Sequence, residues 1–310
     1  MNVVAEPYDP ALAAAWDEFV RTSRTPHFLF ERPYMDYHAD RFADASFVVR
    51  ENDEILAVLP ASRHGDTVVS HGGLTFGGLI SGHRMTHSRC RAAFEVLVES
   101  LGGQSVRAFR YKAIPHIYHL SAAEEDLAVL QEFGAQLTRR DVSAAVAPGL
   151  RPQQSSRRRR AIRKGERAGF RVEESHRVED FMSMLSQVLT ERHDTAPVHS
   201  AEEMLLLANR FPGRIRLWTA DQAGELLSGY LVYETPTVAH AQYIATTASG
   251  RTHGAGDLIV QHLLTTVYAD RWFDFGTSNE RDGSLNAGLM TNKEEFGART
   301  IVYDHYELVL

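Results

Sequence analysis

The chain has 310 residues, 44% of them apolar, enough for two domains of ordinary size with buried cores. Its formal charge of −7 argues against nucleic-acid binding over the whole surface, and the single cysteine, Cys90, excludes an intramolecular disulfide and any thiolate metal cluster. The start MNVVAEPYDP lacks a basic region followed by an apolar core, and no apolar run approaches the roughly 20 residues of a spanning helix, so a soluble cytoplasmic protein is expected.

In chain order, the patterns predict a strand over 2–6 and an amphipathic helix over 10–23, with Leu12, Trp16, Phe19 and Val20 on one side. A helical stretch over 31–42 follows, then a hairpin of 46–50 and 55–60 around Asn52-Asp53. A strand from 67 turns glycine-rich in SHGGLTFGGLI, and 83–101 is helical. Then come a strand over 106–111, a helix over 122–133 and an extended segment over 136–146. Pro148-Gly149 and the polar RPQQSS read as a linker, so domains are placed at 1–149 and 150–310.

The second half opens with RRRRAIRKGER, seven Arg or Lys in eleven residues, predicted as a helix ending near Gly169. The same order of elements then returns: a strand over 170–174, helices over 178–193 and 200–211, and paired strands over 215–220 and 226–234. Ser200 and Glu203 are spaced as a capping box. A strand over 238–247, a helix over 257–270, a strand over 272–276, a helix over 285–296 and a strand over 300–308 complete the chain. Both halves share this plan with little identity of letters, so the plan is one of duplication.

The most informative stretch is VAHAQYIATTASGRTHGAGDLIVQHLL, over 238–264: an apolar strand, a turn holding Arg251, Gly254 and Gly256 as R-x-x-G-x-G, and a helix. The first turn of a helix offers unpaired N–H groups and the positive end of the dipole. Glycines admit a phosphate to the backbone and an arginine adds charge, so the arrangement suits anion capture. It is neither a G-x-G-x-x-G dinucleotide turn nor a Walker A loop. A strand-to-helix turn with glycines for geometry is the plain alternative.

The turn resembles the pyrophosphate-binding signature of GNAT acyltransferases, Q/R-x-x-G-x-G/A. FERPYMDYHADRF, SHGGLTFGGLI, YKAIPHIYH, PVHSAEEMLLLANRFP, HAQY, WFDFGTSNE and NAGLMTNKEEFG together resemble the Fem-like tandem GNAT proteins, a bacterial family often found among genes for surface polysaccharides. The resemblance spans nearly the whole chain. It implies an α/β fold of two tandem GNAT domains, with mixed, mostly antiparallel sheets flanked by helices. The first-half turn SGHRMTH lacks R-x-x-G-x-G, so the donor site is expected in the second half. The implied cofactor is acetyl-CoA or another acyl-CoA, its pyrophosphate held at the helix start by Arg251, Gly254 and Gly256. Relatives include the Fem ligases, which take an aminoacyl group from charged tRNA. The basic run is the feature that fits a tRNA, or the phosphates of a nucleotide-sugar or lipid-diphosphate acceptor.

In the implied mechanism a backbone N–H within 241–244, ending at Ile244, meets the developing oxyanion. His240, whose imidazole titrates near neutral pH, is the first choice as general base. By strand alternation His240 and Gln242 share one face and Tyr243 lies opposite. Asp274 and Ser278, at the end of the next strand, are placed to orient the amine or a histidine. Asn286 matches the GNAT asparagine near the pantetheine or pyrophosphate, Lys293 is expected near phosphate, and Glu294 is an alternative base. The last helix has no tyrosine to protonate the leaving thiolate. His193 and His199 bracket an acceptor loop, and Tyr37, His38, Tyr118 and His119 are expected to face the same cleft. A metal site is not expected: His83 and His87 are four apart, but no H-E-x-x-H and no third ligand appear. Acyl transfer to the amine of a small or sugar-linked acceptor is therefore expected, with aminoacyl transfer or a non-catalytic glycan-precursor or protein-binding module as rivals.

Overall fold

The computed structural model describes residues 2–150, 153–193 and 195–310, apart from the side chain of His193. The chain divides into two compact units, Met1–Asp141 with Val302–Leu310, and Val142–Ile301.

In the first unit, strands β1 (Val3–Pro7), β2 (Ala43–Asp44), β3 (Phe47–Glu51), β4 (Glu54–Leu59), β5 (Ser62–His64), β6 (Thr67–Val69), β7 (Ile80–Ser81) and β8 (Ala108–Lys112) alternate with helices α1 (Ala13–Arg21), α2 (Arg32–Met35), α3 (His87–Gly103) and α4 (Glu125–Glu132). One antiparallel sheet runs β1-β3-β4-β7. The β3–β4 hairpin turns at Asn52, whose φ of 49° is one that Asn tolerates. The core gathers Phe94, Leu97 and Leu101 of α3 against Leu56, Leu59 and Phe109. The helical stretch expected over 31–42 is shorter in fact: only Arg32–Met35 is α-helical, followed by one 3₁₀ turn, Asp36–His38.

The second unit contains the end of β9 (Gln136–Val146), then α5 (Ser156–Ala168), β10 (Arg171–Ser175), α6 (Val178–His193), α7 (Ala201–Arg210), β11 (Ile215–Gln222), β12 (Glu225–Glu234), β13 (Val238–Thr246), α8 (Ala248–His253), α9 (Ala255–His262), β14 (Trp272–Thr277) and α10 (Ala287–Glu294). β15 (Arg299–Val309) starts in this unit and ends in the first. The sheet order is β10-β11-β12-β13-β14-β9, antiparallel except for β13 with β14. Ile259, Val260 and Leu263 bury one sheet face together with Val232 and Ala241. On the other face Phe181 of α6 lies where a Cβ on Gly229 would be, 2.5 Å away.

Local signals account for the helix ends. Ser200 and Glu203 form the expected capping box of α7. Ser155 caps α5, and Gly169 ends it in the left-handed region. The division at 149/150 differs from the units in two places. Residues 142–149 join the second unit because Ser143–Val146 pair with β14, and 302–310 join the first because His305–Val309 pair with β8. Each sheet is completed by a strand end that linear reading assigns to the other half.

Candidate active site

β13 carries a bulge. Leu231 of β12 pairs with Tyr243 and Val232 pairs with Ala241, which leaves Gln242 as the extra residue. Tyr233 and Leu231, two apart on β12, share a face, and they oppose His240 and Tyr243. His240 and Tyr243 therefore lie on the same face, which overturns the simple alternation expected from sequence. The bulge also coincides with the end of a ladder. β13 and β14 pair in parallel only over Val238–His240 and Trp272–Asp274, and beyond that point they part.

The two residues at the parting point are hydrogen-bonded. His240 Nδ1 lies 2.9 Å from Asp274 Oδ2. Asp274 is fully buried, and its Oδ1 accepts the Ser143 hydroxyl at 2.5 Å and the Gly276 N–H at 3.0 Å. A buried carboxylate with each oxygen engaged accepts from the ring at Nδ1 and fixes its orientation. Ser143, on the end of β9, was missed from sequence; its place beside Asp274 follows from the register of β9 on β14. On the same face, the Tyr243 hydroxyl meets both His199 Nδ1, at 2.6 Å, and the His199 N–H, at 3.3 Å. Burial raises the pKa of this phenol, which keeps it protonated at neutral pH.

After β13 the chain does not turn directly into a long helix. Thr247 caps the short α8, Gly254 breaks it at φ 79°, and α9 begins at Ala255. Gly254 is α9's N-cap and offers no side chain, so the first-turn N–H groups lack a capping acceptor. The glycine is required by packing: a Cβ at Gly254 would lie 2.2 Å from the Ala161 carbonyl oxygen of α5. Arg251 Nη1 bonds back to the Thr246 carbonyl at the end of β13.

A cavity of about 370 Å³ opens here, bounded by Ile244 and Thr246 of β13, Tyr230 of β12, Gly256 and Asp257 of α9, and Arg251. Arg157 and Arg158 of α5 and Arg192 of α6 complete a rim of four guanidinium groups. Arg157 is paired with Glu295, and Arg158 with Asp257 at 2.8 Å, which leaves Arg192 and Arg251 without a carboxylate partner among the described residues. The sequence named the basic run but not Arg192, whose signal is lost in an ordinary helix face. Arg160, Arg163, Lys164 and Arg167 of the run are exposed at i, i+3, i+4 and i+7, one stripe of α5.

Other expected site residues are engaged elsewhere. Lys293 is buried and spends its three donors on Gly276 O at 2.7 Å, Thr277 O at 2.8 Å and Ser278 Oγ at 2.8 Å, so it braces the end of β14 rather than reaching phosphate. Burial lowers its pKa to about 8, against the pull of Asp274. Ser278 is wholly buried beneath it. Asn286 caps α10 through the Leu289 N–H at 2.8 Å and donates to Glu280. Glu294 is exposed and lines none of the cavities described. Tyr37 and Tyr118 belong to the first unit. Tyr37 stacks on the buried His38 at 4.3 Å between ring centres, and Tyr118, 3% exposed, packs on Phe76 and meets the Tyr303 hydroxyl. His119 bonds the Ile114 carbonyl at 3.2 Å. His83 lies outside α3 and His87 begins it, so the two do not share a helical face. The described residues contain no group of three or more potential metal ligands and no helix long and apolar enough to cross a membrane.

Residues 153–282 match the family model for the acetyltransferase (GNAT) domain. The crystal structure of FemX superposes with a TM-score of 0.69 at 11% identity, covering 100% of this chain and 98% of that one. The C-terminal domain of a putative lysylphosphatidylglycerol synthetase from Agrobacterium fabrum gives 0.54 at 16% identity over 85% of this chain and 80% of its own. A tandem GNAT protein from the clavulanic acid biosynthesis pathway gives 0.50 at 13% identity over 99% and 98%. Comparison with curated protein sequences gives no match. Residues 153–282 are thus similar to the acetyltransferase (GNAT) domain, and the chain as a whole has the fold of FemX and of the tandem GNAT protein.

Proposed function

We propose that the second unit is an N-acyltransferase that takes an acyl group from an acyl-CoA and delivers it to an amine of a small or sugar-linked acceptor. One observation carries the reading: a single cavity joins the uncapped start of α9 to Ile244 and Thr246 of β13, four and six residues beyond His240, where β13 and β14 part. The residues fit a diphosphate. Helix amides with no capping side chain, a glycine at 256 and two guanidinium groups without carboxylate partners among the described residues suit two negative charges. Arg251, Gly256 and Arg192 would hold that group, with Gly254 shaping the turn. Ile244 and Thr246 would line the path from it to the strand gap.

A bound acyl-CoA supplies an activated thioester. The chain supplies positioning and proton transfer. His240, its ring oriented by Asp274, accepts the proton of the attacking amine at Nε2. Ser143 and the Gly276 N–H hold the Asp274 carboxylate in place against the ring, where it can meet the imidazolium that forms. Backbone N–H groups at the bulge, over 241–244, provide the oxyanion contact, and the pair Tyr243–His199 borders the acceptor side.

Calorimetry with acetyl-CoA tests the reading. Wild type binds, and Arg251→Ala loses about 10–100-fold in affinity, the range of one charge-assisted contact. Unchanged affinity in the variant removes the donor site. The exposed stripe on α5 favours a second reading, an aminoacyl-tRNA donor. Binding of aminoacyl-tRNA but not acetyl-CoA by the wild-type chain would establish it.

A further inference from the structure

We propose that Arg158 is a positioning residue for the donor's diphosphate and acts by cancelling the charge of Asp257; this rests on the donor reading above. Asp257 is the third residue of α9 and lines the cavity. A carboxylate in a first turn suits the helix dipole while the site is empty, but it sets a negative charge where a dianion has to sit. Arg158 answers it from another element. Its guanidinium donates to Asp257 Oδ1 at 2.8 Å and to the Asn292 carbonyl at 2.9 Å, and lies 4.1 Å over the Phe296 ring; its Nε is also 3.5 Å from Glu295, a carboxylate that Arg157 pairs with in its own right.

Arg158 is only 6% exposed, and α5 holds it in place. The helix contacts the turn at two close approaches, Ala161 O beneath Gly254 and Gly165 against the Gly254 carbonyl. The cation therefore has no freedom to leave Asp257 and follow a phosphate. Its effect is to neutralise the carboxylate, so that the amides of α9, Arg192 and Arg251 set the potential of the cavity. The exposed cations farther along α5 have no such partner among the described residues.

The test is a double-mutant cycle read by calorimetry with CoA and, separately, inorganic pyrophosphate. Arg158→Gln leaves Asp257 uncompensated and weakens CoA about 10–100-fold. Arg158→Lys recovers part of the loss. Asp257→Asn alone binds as well as wild type or tighter, and Arg158→Gln with Asp257→Asn returns to within about 3-fold of wild type. A purely structural role for the pair predicts the opposite, a double variant no better than Arg158→Gln. That result overturns the proposal, as does weaker binding by Asp257→Asn, which stays decisive even if Arg158→Gln fails to fold. Wild type that binds neither CoA nor pyrophosphate overturns the donor reading and this proposal together.

Discussion

Gly254→Ala separates a glycine needed by the backbone from one needed by the ligand. Gly254 sits at φ 79°, where a Cβ costs about 1 kcal/mol. The new methyl would lie 2.2 Å from the Ala161 carbonyl oxygen, a backbone atom that cannot rotate away. Contact distance is about 3.4 Å or more, so α5 has to retreat by about 1 Å, and overpacking of that kind costs about 1–3 kcal/mol. The total is about 2–4 kcal/mol, or a fall of roughly 5–15 °C in the melting temperature of a unit this size. The retreat also draws Arg158 from Asp257, so CoA affinity falls with stability. Gly256→Ala is the control: φ there is not positive, and its Cβ would meet the Thr246 hydroxyl at 2.9 Å, a side-chain atom that can turn. Scanning calorimetry with and without CoA reads both variants. Gly254→Ala melting within about 1–2 °C of wild type, with CoA binding intact, refutes the packing argument.

Three further outcomes follow from the geometry. Asp274→Asn keeps the shape of the site but loses the acceptor that fixes His240; turnover falls about 10²–10⁴-fold while the CoA dissociation constant stays within a few-fold, as single-turnover and binding assays will read. Deletion of Gln242 removes the bulge but leaves Tyr233–His240, Val232–Ala241 and Leu231–Tyr243 as a regular ladder, so His240 and Tyr243 stay on one face; turnover falls about 10²–10³-fold because the bulge N–H groups no longer meet the oxyanion, with folding unchanged by circular dichroism. In the first unit, burial, with His38 beside it, lowers the pKa of His71 to about 3. The unfolded ring takes up its proton near pH 6.5, so stability that is complete above about pH 6.5 drains as the pH falls toward 3, at up to about 1.4 kcal/mol per pH unit. His71→Asn, a residue that tolerates the φ of 57° there, flattens that acid limb in urea titrations of the whole chain at pH 5 and pH 7.

Period and punctuation placed most elements. The capping box at Ser200, the terminating Gly169 and the turn at Asn52 stand where their residue chemistry puts them, because each is a contact between near neighbours in sequence. The break between β13 and α9 at Gly254 was legible for the same reason. The polar interior of the site was less so. Nothing in HAQY reveals that Gln242 is an extra residue, because a bulge is a property of the pair of strands, and reading one strand alone assigned Tyr243 to the wrong face. Lys293, Ser278 and Asn286 are residue types that bind phosphate or substrate when exposed, and only burial and register show that they brace β14 and α10 instead. Ser143 and Arg158 were hidden by distance: each acts on a group more than 90 residues away in sequence. The exchange of strand ends between halves is likewise invisible to a linear boundary drawn at a polar linker.

Duplication raises the question of how many donors one chain binds, and helix capping answers it. In the first unit the helix after the glycine-rich stretch is α3, and its start is closed by its own residues. Thr86 caps it, accepting the Arg89 N–H at 3.4 Å. The cations nearby are spent too: Arg89 pairs with Glu51 at 2.9 Å, and Arg84 with Glu54 at 2.9 Å and Glu51 at 3.5 Å. A diphosphate arriving there would have to displace a hydroxyl and two carboxylates before gaining any contact. At α9 the cap is a glycine, and two arginines on the rim have no acid to leave among the described residues. The donor reading therefore requires one CoA per chain, and calorimetry at protein concentrations well above the dissociation constant measures that number directly. A stoichiometry of two would mean that capping does not close the first helix, and the logic that assigns the donor to α9 would fail with it.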